Sequence, residues 1–210
     1  MEEYNDGIKV VVADASHEKY VDVILQTISD SAKVRGSGIA TRTHDYVATK
    51  MKERKAIIAL DGEEFAGFCY IESWEDKHYV ANSGLIVVPK YRQHHLAKRI
   101  KNLAFSLSRV RWPHAKLFGL TSQIAVMRIN TSLGYVPVTF GQLTQDDAFW
   151  AGCGTPEKPC CINCDVLARS GRKYCVCTAM LYDPEDHVGE PLPVELPQDV
   201  LEFLENNKKQ

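Results

Sequence analysis

The stretch from Ser83 to Ile100 narrows the possible folds more than any other part of the chain. Leu85, Ile86, Val87 and Val88 read as an apolar strand. Pro89 ends it, because proline has no N–H for a sheet ladder. A basic, donor-rich turn follows, Lys90-Tyr91-Arg92-Gln93-His94-His95, and Leu96-Ala97-Lys98-Arg99-Ile100 opens a helix. A helix N-terminus carries unpaired N–H groups and about half a positive charge. Set behind a strand and beside Arg92, Lys98 and Arg99, it is a candidate anion site. A solvated basic turn is the plainer reading of the same residues.

Charge distribution bears on the kind of anion. The 210 residues carry a formal net charge of −2 and no run of lysine and arginine, which argues against a nucleic-acid partner. Cations gather locally at Arg92, Lys98, Arg99, Lys101, Arg109 and Arg111, which suits a small phosphate-rich ligand better than a polymer. The acidic start (Glu2, Glu3, Asp6) lacks a basic-then-apolar pattern, so no signal peptide is expected. No apolar stretch approaches the ~20 residues of a membrane span, so no membrane partner and a cytoplasmic location are expected. The length suits one domain with an appendage.

Taken in order, Ile8 to Ala13 reads as a first strand. Ser16 is the expected cap of a helix with Val21, Ile24, Leu25 and Ile28 on one face. A loop with two glycines and two arginines follows, Arg35 to Arg42, and Thr43 is the expected cap of a second helix. Ala56–Leu60, Phe65–Trp74 and Tyr79–Val88 read as three strands in a meander, with Asp61-Gly62 at the first turn. A helix from Leu96 to about Val110, a strand Lys116–Leu120, a helix from about Ser122 to Ser132 and a strand Val136–Phe140 complete the pattern. Val200, Leu201 and Leu204 suit a last short amphipathic helix in an acidic, proline-containing tail.

The turn Pro89-x-Tyr91-Arg92-x-x-x-Leu96-Ala97 after a valine-rich strand resembles the acyl-CoA pyrophosphate loop of the GNAT N-acyltransferases. That loop reads Gln/Arg-x-x-Gly-x-Gly/Ala; Arg92 and Ala97 match, and His95 stands where glycine is usual. A residue larger than glycine fits there if its φ is negative. Ile124 to Tyr135 resembles the family's later helix, matching at Gly134-Tyr135, with Asn130 in place of its usual tyrosine. The element order β-α-α-β-β-β-α-β-α-β over about residues 8–140 is also the GNAT order. The resemblance implies an α+β fold, a mixed central sheet flanked by helices. The expected division is a GNAT acyltransferase domain at 1–150, a C-terminal Cys-rich extension at 151–184 and an acidic tail at 185–210.

An N-acyltransferase holds a thioester, takes a proton from an ammonium nucleophile and stabilises an oxyanion. The resemblance assigns acyl-CoA as co-substrate, with the pantetheine arm on backbone of Leu85, Ile86 and Val88. It assigns the pyrophosphate to backbone of Arg92, Gln93, His94, His95, Leu96 and Ala97. Asn130 replaces a proton donor; its amide has no proton to give, so it is left to hydrogen-bond the sulfur or to cap a local turn. Glu72 is the candidate base, with His78, His44 and a water chain as alternatives.

Two guanidinium groups on a glycine-rich loop, Arg35 and Arg42, suit bidentate capture of carboxylates, with Asn82 and Ser83 lining the adjacent strand. As solvated loop charges they would do neither. Arg35-Gly-x-Gly-Ile-Ala-x-Arg42, Val80-Ala-Asn-Ser-Gly-Leu-Ile-Val87, Phe118-Gly-Leu-Thr121 and Cys175-x-Cys177-Thr-Ala-Met-Leu-Tyr-Asp-Pro184 resemble a narrower bacterial group. Its members acylate glutamate in arginine biosynthesis, with acetyl-CoA or succinyl-CoA as donor. A protein N-terminus or lysine as acceptor and a non-catalytic acyl-CoA sensor are the rival readings. Monomer and homodimer are both compatible with the sequence.

Six of the seven cysteines lie between Cys153 and Cys177. Without a secretory signal, such crowding favours metal over disulfides. Cys161-x-x-Cys164 suits a zinc knuckle, and the candidate ligands are Cys153, Cys161, Cys164, Cys175 and Cys177 around one structural Zn²⁺. An iron–sulfur cluster or plain buried thiols are the alternatives, and Cys69 reads as core.

Overall fold

The structure, a computed structural model, describes residues 6–35, 42–92, 95–151 and 177–207. Its strands are β1 (Ile8–Val12), β2 (Ala56–Asp61), β3 (Glu64–Trp74), β4 (Tyr79–Val87), β5 (Lys116–Thr121), β6 (Val136–Val138) and β7 (Thr178–Tyr182). Its α-helices are α1 (Val21–Arg35), α2 (His44–Lys52), α3 (Leu96–Arg111), α4 (Ile124–Ser132), α5 (Asp147–Ala151) and α6 (Gln198–Asn206). The strands form one sheet in the order β1-β2-β3-β4-β5-β7-β6. Among the described residues only β4 and β5 pair in parallel; the other pairs are antiparallel.

Alternation along the strands supplies two apolar faces. On one, Ile57, Cys69, Ile71, Val80 and Leu117 pack with Ile100, Leu103, Ala104 and Leu107 of α3. On the other, Ile58, Phe68, Tyr70 and Ile86 pack with Ile24 and Ile28 of α1 and Val47 and Met51 of α2. Each fully buried aliphatic side chain contributes about 1.5–3 kcal/mol. Cys69 is fully buried core, as its strand position implies, and burial pushes its thiol up to about 11.

Thr43 caps α2, its hydroxyl accepting from Tyr46 N–H at 3.2 Å. Ser16 does not cap α1. Asp14 caps a 3₁₀ turn over Ala15–Tyr20 that runs into α1, because its carboxylate reaches Ser16 N–H at 2.9 Å.

The larger correction concerns the end of the domain. Residues 1–150 do not complete the sheet: β7 follows the cysteine-rich stretch and sits between β5 and β6, with Gly119↔Met180 on one side and Pro137↔Met180 on the other. That stretch is therefore an insertion between two neighbouring strands, not an extension. The acidic tail is part of the body too, since Leu196, Val200 and Leu204 are buried in the α3 core.

Candidate functional site

The parallel pairing of β4 and β5 covers only Tyr79↔Lys116, Val80↔Leu117 and Ala81↔Phe118. Beyond Ala81 the two strands part. The register of β4 against β3 shifts between Tyr70↔Ser83 and Phe68↔Ile86, which is a bulge with one extra residue in β4. Gly84 lies in that bulge with φ +64°, and a Cβ there would stand 2.5 Å from Cε1 of Tyr70. Only glycine meets both demands.

The parting leaves a cleft of about 540 Å³. Its walls include Leu85, Val87 and Val88 of the strand, Arg92 and Ala97 of the following turn and helix, and Gln123, Ala125 and Val126 at the start of α4. Thr27, Asp30, Ser31 and Val34 of α1 close its other side. The expected backbone contacts need correcting here. Val88 N–H donates to Ala66 O at 2.9 Å, and Ile86 O lies 2.9 Å from where a Cβ on Gly67 would be, so both residues turn their backbone toward β3. Strand alternation then turns the backbone of Val87 toward the cleft, and Leu85 lines the cleft from within the bulge.

At the mouth, His95 is the N-cap of α3 with φ +50°, so the condition of a negative φ for a side chain at the usual glycine is not met. The histidine takes the left-handed conformation itself. Its carbonyl accepts from Lys98 and Arg99 N–H at 2.9 and 3.1 Å, while Arg92 is exposed at the cleft. Arg99 does not join it: the guanidinium turns inward to Asp6 at 2.9 Å and to Ile8 O at 2.5 Å. Leu96 is buried and Ala97 lines the cleft. Gln93 and His94 lie outside the described residues.

On the α1–α2 face, side chains from α2 and β3 meet beside the bulge. Tyr46 and Lys50 are one helical turn apart on α2 and point the same way; Tyr70 and Glu72 are two apart on β3 and do likewise. Glu72 Oε2 accepts from Tyr46 O–H at 2.5 Å and pairs with Lys50 Nζ at 2.5 Å. Arg42 Nε donates to Tyr70 Oη at 2.9 Å, and its guanidinium lies 5.1 and 5.6 Å from the centres of the Tyr46 and Tyr70 rings. Burial, the Tyr70 ring and Glu72 push the Tyr46 phenol far above its usual range. Burial also raises the Tyr70 phenol, against the opposing pull of Arg42. Phe149 of α5 bounds the same face, edge-on to Trp74 at 5.4 Å and Phe118 at 5.0 Å. Glu75 anchors the segment before it, accepting from Thr144 O–H at 2.6 Å and Gln145 N–H at 2.5 Å.

Of the expected acceptor-side residues, Arg42 and Glu72 come together here, and Ser83 pairs with Tyr70 on this face. Asn82 does not: it faces α3 and donates to Ser108 Oγ at 2.8 Å. Arg35 ends α1, and its side chain lies outside the description. Asn130 is 2% exposed under β5 and β7, its amide nitrogen 3.6 Å from Met180 Sδ. His44 is half exposed beside Asp45, and His78 is exposed on the β3–β4 hairpin. Tyr46, Lys50 and Tyr70 were not anticipated; the i, i+4 pair on α2 and the i, i+2 pair on β3 are the pattern that marks them.

Cys153, Cys161, Cys164 and Cys175 lie outside the described residues, and Cys177 directly precedes β7. Among the described residues no group of three or more His, Cys, Asp or Glu side chains is placed to hold a metal ion. No described helix is long and apolar enough to cross a membrane.

This sheet, with its parted β4 and β5 and a helix start at the cleft mouth, is the GNAT acyl-CoA N-acyltransferase fold. The chain is similar to N-acetylglutamate synthase from Neisseria gonorrhoeae complexed with coenzyme A and N-acetyl-glutamate, at TM-score 0.57 and 10% identity over 84% of this chain. It spans 35% of that enzyme's length. It is similar to Rv2747 from Mycobacterium tuberculosis in complex with CoA, at TM-score 0.57 and 14% identity, covering 83% of this chain and 98% of that one. It is also similar to yncA from Salmonella typhimurium with its cofactor acetyl-CoA, at TM-score 0.56 and 13% identity, covering 88% and 98%. At these identities the fold is what is shared. No family model and no curated protein matches the chain.

Proposed function

We propose that this chain is an acyl-CoA-dependent N-acyltransferase acting on the amino group of a small acidic amino acid, glutamate in the first instance. The observation that carries the reading is the cleft between β4 and β5, lined by Leu85 and Val87 and ending at the start of α3. In this reading the pantetheine arm pairs with that edge, and the pyrophosphate meets Arg92 and the backbone about His95, Leu96 and Ala97. Glu72 receives the proton of the acceptor amine, directly or through a water. Arg42, whose plane is set by its bond to Tyr70, reads an acceptor carboxylate.

Thiol release from acetyl-CoA and from succinyl-CoA, measured against the common amino acids with product mass as a check, tests this. The expected result is turnover greatest with glutamate. Arg42→Lys keeps the charge but loses the planar fork, so KM for glutamate should rise about tenfold or more. CoA binding without turnover on any amine would leave the sensor reading in its place. A place in arginine biosynthesis follows from the glutamate assignment and stands or falls with it.

We also propose one structural Zn²⁺ held by four of Cys153, Cys161, Cys164, Cys175 and Cys177, on their spacing alone. Elemental analysis of untagged protein purified without added metal is the test; trace zinc with all thiols reactive on unfolding overturns it.

A further inference from the structure

Asn130 is buried with its amide nitrogen 3.6 Å from Met180 Sδ, and an amide has no proton to give, so the leaving thiolate needs a donor from elsewhere. Two phenols face the acceptor side beside the bulge. Tyr46 spends its proton on Glu72. Tyr70 differs: its oxygen accepts from Arg42 Nε at 2.9 Å, and its own proton has no acceptor among the described residues.

The position of Tyr70 matters as much as its proton. It pairs with Ser83 at the last regular step before the bulge, and its ring lies across Gly84, close enough that a Cβ there would be 2.5 Å from Cε1 and 2.8 Å from Cδ1. Gly84 follows shortly after Ala81, the last β4 residue paired to β5. The ring thus crosses β4 where that strand becomes an open edge.

Resting on the acyltransferase reading, we propose that Tyr70 is the general acid of the reaction, with Arg42 as its positioning residue. As the tetrahedral intermediate collapses, the C–S bond breaks and its electron pair goes to sulfur. The Tyr70 O–H proton moves to that sulfur, giving the free thiol. The phenolate left behind is held by the Arg42 N–H and takes up, through water, the proton that the acceptor nitrogen has lost. The ammonium's first proton goes to solvent before attack; from the neutral amine onward one proton leaves nitrogen, one reaches sulfur, and Tyr70 is restored. Burial keeps the phenol protonated until that step, against the pull of Arg42. The charged and titratable neighbours on this face are Arg42, Glu72, Lys50 and Tyr46.

Tyr70→Phe keeps the ring over Gly84 and removes only the hydroxyl. With wild-type turnover established, kcat should fall about 10²-fold while KM for the acyl-CoA stays within about threefold. A second variant carrying 3,5-difluorotyrosine at position 70, a more acidic phenol of nearly the same shape, should move the alkaline limb of kcat to lower pH. A Phe variant with kcat within about threefold of wild type overturns the assignment. So does an unmoved alkaline limb in the fluorinated protein, which would leave Tyr70 as packing. Absence of thiol release by the wild-type protein with every donor and acceptor overturns the acyltransferase reading itself, and this assignment with it.

Discussion

Gly84 carries two constraints that no other residue type satisfies, a left-handed backbone and the ring of Tyr70 standing where a Cβ would go. Gly84→Ala should cost at least about 2 kcal/mol, from the left-handed strain and the displaced ring together. A melting-temperature fall of about 5 °C or more should show it, with a loss of turnover beyond the loss of folded protein. Lys101 poses a different residue-scale problem. It is 2% exposed on α3, its ammonium 5.0 Å from the centre of the Tyr135 ring, and burial pulls it down to about 8. Its ordinary value is 10.5, so the folded state binds less proton than the unfolded state between about pH 8 and 10.5. Stability tied to this group is therefore fully present above that window and lost as pH falls through about 8, a penalty of about 3 kcal/mol at neutral pH. Lys101→Met should raise stability at pH 7, and the gain should shrink as pH climbs from 8 toward 10.5. Denaturant unfolding at several pH values measures it; a gain that does not vary with pH would show that the buried charge is not the cause.

At the scale of elements, what the sequence revealed and what it hid have physical causes. The β4–α3 turn was legible because Pro89 stops a ladder and a basic run follows, both local signals. The tail helix was legible because Val200 and Leu204 sit one turn apart. The extra residue of the β4 bulge was not, and it decides which side chains share a face. Ser83 pairs with Tyr70 and Ile86 with Phe68, so both lie on the α1–α2 face although their numbers differ in parity. Alternation alone puts only one of the neighbours Asn82 and Ser83 on that face, and the bulge decides that it is Ser83. β7 was missed as part of the sheet because five residues after a cysteine-rich stretch give no local sign of the partners, β5 and β6, that they separate. The consequence is testable. A chain ending at residue 150 lacks the strand between β5 and β6 and the buried Leu196, Val200 and Leu204. It should show no cooperative thermal transition by circular dichroism. A sharp transition near that of the full chain would mean that β5 and β6 hold together without their intervening strand.

Across the whole molecule, the cleft is where separately supported parts of the fold meet: α1 on one side, α4 on the other, β4 beneath and the start of α3 at the mouth. A ligand that bridges them binds the folded chain and not the unfolded one, so its affinity appears as stability. At a CoA concentration about a hundred times Kd the gain is about 2.7 kcal/mol, which for a chain of this size raises Tm by roughly 5–10 °C. Arg92 stands at that mouth, exposed, and a charge-assisted bond to phosphate is worth about 1.5–3 kcal/mol. Arg92→Ala should therefore leave the ligand-free Tm within about 1 °C, because an exposed side chain contributes little to folding. It should weaken CoA at least about tenfold, cutting the ligand-induced shift at the same concentration to about half or less. The two melts, each with and without CoA, separate binding from folding. A full shift in the variant would take the pyrophosphate away from Arg92, and no shift in either protein would mean that the cleft does not hold CoA.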